Sequence, residues 1–101
     1  MTQGMLGIMV TKYEYLTHIA GVVGAAQEAG YPVSLFLNDK GVRFTLDPRF
    51  LELLSIPGVQ ISCCSHSCKL LGFHDRVEGI TYGSQLDNAK MLRDCERVLV
   101  F

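Results

Sequence analysis

The stretch MLGIMVT at residues 5–11 is apolar almost throughout, and PVSLFLN at 32–38 is nearly so. Apolar runs of this length that do not alternate with polar residues suit strands buried on both faces, as in a parallel sheet. Parallel neighbours cannot be joined by a tight turn and need a crossover of a dozen or more residues, usually a helix. The chain supplies one between the two runs. Thr11 and Glu14 make an S/T-x-x-E capping box, and Leu16, Ile19, Ala20 and Val23 follow at helical spacing until Gly30. The small residues Gly21, Gly24, Ala25 and Ala26 would let this helix lie close to a sheet.

The same alternation continues to the end. Asp47 and Pro48 form an N-cap and N1 pair for a short helix, PRFLELLSI, which Pro57-Gly58 breaks. VQISCC at 59–64 reads as the third strand, and a short helix from Ser65 to Leu71 ends at Gly72. GITYG is a fourth strand, Ser84 with Asp87 caps a helix running to about Cys95, and RVLVF is a fifth strand. Strand and helix in turn predict an α/β fold: a three-layer α/β/α sandwich with a mainly parallel, about five-stranded sheet. Residues 1–101 form one domain in this reading. A reactive site then belongs beyond the carboxyl ends of the strands.

Composition narrows the classes of function. The 9 Lys and Arg are scattered and offset by 10 Asp and Glu, so no basic patch is available for nucleic acid. The apolar runs fall well short of the ~18 residues of a membrane span. The N-terminal MTQGMLGIMV has neither the basic start nor the cleavage site of a signal peptide. A cytoplasmic protein is expected, with reduced thiols and no structural disulfide framework.

Chemistry concentrates in ISCCSHSCKLLG, residues 61–72, where Cys63, Cys64, His66 and Cys68 fall within six positions. Four such ligands are enough in number for tetrahedral zinc, but structural sites use two separated pairs, and adjacent cysteines at a strand end point to opposite faces. No metal and no organic cofactor are expected. A Cys64–Cys68 disulfide is conceivable, since residues four apart share a helix face. A reactive thiol explains more. Cys64 ends a strand just before a helix, whose free N–H groups stabilise a thiolate, with His66 and Lys69 adding to the effect. Cys63 is the better buried, inert partner. Lys12 and Tyr13 follow the first strand and should face the same crevice, and His74 with Asp75 could line it. There is no G-x-x-x-x-G-K-[ST] loop and no G-x-G-x-x-G after a strand.

Three stretches carry a family likeness. GYPVSLFLNDKGV resembles the second strand and turn of the DsrE/DsrF/TusD-like sulfur-relay proteins, and DCERVLVF is similar to their terminal strand. ISCCSHSCKLLG looks like their cysteine strand-helix, whose cysteine stands eight residues before a glycine, as Cys64 stands before Gly72. The resemblance implies a small α/β sulfur carrier, sulfurtransferase-like, with Cys64 accepting sulfur as a persulfide. It also implies sulfur-donor and sulfur-acceptor protein partners and a homo-oligomer, a trimer or hexamer, with Cys64 near a subunit boundary. Some relatives have a second cysteine three residues on; here that place is Ser67, and Cys68 comes one later. Apolar loop residues, notably Phe44 and Phe73, point to the same need for cover. Two alternatives stand beside this reading: a thiol-disulfide redox protein using Cys64 and Cys68, and a cysteine-rich metal-binding or assembly module.

Overall fold

The computed structural model describes residues 4–101, so the first three residues of the N-terminal stretch lie outside the described residues. Five strands form one sheet: β1 (Met5–Val10), β2 (Val33–Leu37), β3 (Val59–Cys64), β4 (Ile80–Gly83) and β5 (Cys95–Val100). Every pairing is parallel, in the order β4-β3-β2-β1-β5. The α-helices are α1 (Leu16–Glu28), α2 (Pro48–Leu51), α3 (Ser65–Leu70) and α4 (Gln85–Asp94). Two 3-10 helices, Asp39–Leu46 and Glu52–Ser55, flank α2. The α/β architecture with a parallel sheet is as the alternation of apolar runs predicts.

The strand order dictates the layers. Right-handed crossovers taken in one direction, β1 to β4, put their helices on one face of the sheet. The return from β4 to β5 puts α4 on the other. Packing follows suit. On the first face Ile8, Val10, Leu35, Leu37, Ile61 and Cys63 pack with Ile19 and Val23 of α1, Phe50 of α2 and Cys68 of α3. On the second, Phe36 and Cys64 pack with Met91 of α4, flanked by Met9 and Cys95. The first layer is deep and the second thin, a single helix of 10 residues.

Several local signals act as the sequence predicts. Asp47 caps α2, accepting from the Arg49 N–H at 3.0 Å, and Pro48 occupies the first turn. Its carboxylate also takes the Arg49 guanidinium at 2.9 Å and the Tyr13 hydroxyl at 2.8 Å, which hold it well below the usual carboxylate range. Ser84 and Asp87 form the capping box of α4, with Ser84 N–H donating to Asp87 Oδ2 at 2.7 Å. Others do not. The Thr11–Glu14 box is absent, because the Thr11 N–H and hydroxyl both donate to the Phe101 carbonyl, at 2.7 and 3.1 Å. Helix α1 starts later, at Leu16, after Tyr15 in the left-handed region (φ 66°). Gly21 and Gly24 face open space, and the helix meets the sheet through Ile19, Val23 and Ala26 instead. The turn expected after β2 is the longer 3-10 helix, whose Phe44 is buried between Tyr13 and Phe50 with ring centroids at 4.7 and 4.8 Å. Phe44 therefore needs no cover from another chain, and Phe73 is packed against the same core.

Candidate functional site

In parallel sheets with helices on both faces, a crevice opens where consecutive connections leave toward opposite faces. Here that point lies between the ends of β3 and β4: α3 follows β3 on the deep face and α4 follows β4 on the thin one. Cys64 and Gly83 are register partners at this end of the two strands. The cysteine cluster begins at the switch point, and the pleat divides it.

Successive strand residues point to opposite faces. Cys63 is fully buried on the deep face, and its sulfur lies 3.5 Å from that of Cys68. Burial, then the hydrogen bond with Cys68, pushes the Cys63 thiol far up. Cys64 points to the thin face, packed with Phe36 and Met91. Among the described residues no sulfur contact joins Cys64 and Cys68, and the Cys68 sulfur lies instead against that of Cys63. The split also leaves no shared centre for four ligands; no three His, Cys, Asp or Glu converge among the described residues. His66 is exposed at the start of α3 and its side chain has no polar partner among the described residues.

The surroundings of Cys64 are polar. The Asp39 N–H can only donate, and it donates to Ser67 Oγ at 3.1 Å. The Ser67 hydroxyl then gives its own hydrogen to Asn38 Oδ1 at 3.0 Å. The same oxygen accepts from Gln85 Nε2, also at 3.0 Å. Gln85 presents its NH2 group inward, and this group also reaches Cys64 Sγ at 3.4 Å. Asn88 Nδ2 closes the chain onto Gln85 Oε1 at 3.4 Å. An amide donor fixed on a sulfur favours the thiolate.

Cys64 is only 2% exposed. Burial alone would raise its thiol. The backbone of Ser67, the Gln85 amide and the His66 backbone outweigh that and hold it below the ordinary value. Gln85, whose amide touches the sulfur, is itself exposed.

Other expected residues lie elsewhere. Tyr13 bonds to Asp47 on the deep side, and Lys12 is exposed without a polar partner among the described residues. His74 lines a cavity beside Cys68, and Asp75 is exposed outside that lining. Asn38, Gln85 and Asn88 are absent from the sequence reading. They meet only through the order β4-β3-β2, and the one local hint was Ser84, which caps a helix whose first residue is Gln85.

Compared with known proteins, the chain matches no protein-family model and no curated protein.

Replacing Gln85 with Ala removes both the lid over Cys64 and its amide donor. Alkylation of Cys64 by iodoacetamide should then reach a several-fold higher limiting rate at alkaline pH, while the midpoint of its pH–rate profile moves upward. A midpoint that stays in place would show that Gln85 does not act on the thiolate.

Proposed function

We propose that this protein is a sulfur carrier, sulfurtransferase-like, that holds sulfur as a persulfide on Cys64. The observation that carries the reading is the single thiol held below its ordinary range at the β3–β4 switch point, beneath an exposed amide side chain. The likeness of ISCCSHSCKLLG to the cysteine strand-helix of the DsrE-like family names the same residue. The Cys64 thiolate attacks the outer sulfur of a donor persulfide R–S–SH, forming the Cys64–S–SH bond and releasing R–S⁻. An acceptor thiolate then attacks that outer sulfur, takes it as its own persulfide and restores the Cys64 thiolate. The cargo is the sulfur atom, no organic cofactor takes part, and the partners are donor and acceptor proteins. A reduced, cytoplasmic setting suits a free thiolate of this kind. No described helix is long and apolar enough to cross a membrane.

Assembly belongs to the same proposal. The thin face is covered by α4 alone, and Leu86, next to Gln85, is 63% exposed. Leu92 on the same helix is exposed as well, and so is Val100 on the edge strand β5, whose register partner Met9 faces the same side. A second copy seated on α4 would bury these side chains and guard the persulfide from stray thiols.

Intact mass after treatment with a persulfide donor should show one added sulfur on the wild type and on Cys63→Ala, and none on Cys64→Ser. Loading that survives Cys64→Ser and disappears in Cys68→Ser would refute the assignment. Light scattering at micromolar concentration should give a multiple of the 11.2 kDa chain mass, three or six copies. A particle of the chain mass alone would refute the assembly.

A further inference from the structure

A second group of chemical side chains lies on the deep face, away from Cys64. Between α3 and the loop leading to β4 is a cavity of about 230 Å³. Its lining includes Cys68, Lys69, His74, Arg76 and Tyr82, and no carboxylate is among the lining residues. Tyr82 is the register partner of Cys63 and prebuilds one wall. Its hydroxyl accepts from the Val77 N–H at 2.7 Å, and the Arg76 guanidinium stacks 4.8 Å over its ring. Cys68, itself buried, is among the lining residues, and the fully buried Cys63 sulfur lies 3.5 Å from its own. Two thiols in contact, one reaching a cationic cavity and one sealed off, form an ordered pair.

We propose that Cys63 and Cys68 are a second thiol centre, independent of Cys64, which exchanges with a small carboxylate-bearing disulfide bound by Lys69 and Arg76. Cys68, the one cysteine among the lining residues, attacks one sulfur of the bound R–S–S–R. A Cys68–S–S–R bond forms, the R–S–S–R bond breaks and R–S⁻ leaves with the proton of Cys68. Cys63 then attacks the Cys68 sulfur from behind, giving the Cys63–Cys68 disulfide, and its proton goes with the second R–S⁻. Two protein thiols are oxidised and one external disulfide is reduced to two thiols. Excess external thiol reverses both steps. The 3.5 Å gap has only to close to the ~2.05 Å of a disulfide bond. Lys69 and Arg76 choose the partner, since guanidinium and ammonium groups bind carboxylates by charge-assisted hydrogen bonds.

The test uses Cys64→Ser protein with oxidised glutathione, read by intact mass and peptide sequencing. This protein should lose two hydrogens and keep no adduct, and adding Cys63→Ala should stop the reaction at one glutathione on Cys68. Replacing both Lys69 and Arg76 by Gln, on the surface where folding is not at stake, should slow the reaction with oxidised glutathione about tenfold. The same change should leave the rate with neutral 2-hydroxyethyl disulfide unaltered. An adduct on Cys95 in place of Cys68, the absence of a Cys63–Cys68 disulfide, or equal slowing with both disulfides would overturn the proposal. A persulfide still loading on Cys64 in the wild type would leave the sulfur-carrier reading standing in each of those cases.

Discussion

The pleat of β3 decides how this protein can use its cysteines. Two adjacent residues in a strand cannot face the same way, so Cys63 and Cys64 are driven to opposite sides of a sheet that both sides bury. A tight run of potential ligands becomes two unlike environments. One sulfur meets another thiol in an apolar core, where the charged form is disfavoured. The other meets an amide and the start of a helix, which favour the thiolate.

A hydrogen-bonded chain of side chains begins at one backbone group beside Cys64. The Asp39 N–H donates to the Ser67 hydroxyl, which donates to the Asn38 side-chain oxygen, and Gln85 Nε2 donates to the same oxygen. Asp39 itself stands in the left-handed region (φ 49°) at the start of the 3-10 helix that leaves β2. The link from Asn38 N–H to the Val10 carbonyl at 2.8 Å ties that helix to the end of β1. Three strand ends thus fix one side-chain amide over one sulfur. Gly83 contributes by omission: a side chain there would collide with the Asp87 carboxylate that caps α4, and so would disturb the helix start that carries Gln85.

Much of the fold was legible in local pattern. The third strand runs from Val59 to Cys64 in both readings, and the caps at Asp47 and Ser84 act where they stand because their partners are two or three residues away. The reading failed where a distant group competed. Thr11 has the right spacing from Glu14 to cap a helix, yet the Phe101 carbonyl, 90 residues on, takes its hydroxyl. The helix glycines look suited to packing against a sheet, but Ile19, Val23 and Ala26 face inward while Gly21 and Gly24 face open space. At the site, the placement of Cys64 before a helix was readable, and so was the burial of Cys63. The partner of Cys68 was not. Spacing of four suggested Cys64, but a residue that ends a strand does not share the face of the helix that follows. Asn38 and Gln85, 47 residues apart, needed the strand order before they could be put together.

The difference between the two thiol environments is measured most directly by the thiolate absorbance of single-cysteine proteins, titrated in the folded state. With only Cys64 retained, the midpoint should fall below the ordinary thiol value of 9.0, because fixed donors on the thin face outweigh burial. With only Cys63 retained, it should lie above that value, because burial dominates on the deep face. A Cys64 midpoint at or above 9.0 would contradict the account, since nothing in its surroundings would then favour the thiolate over any other buried cysteine.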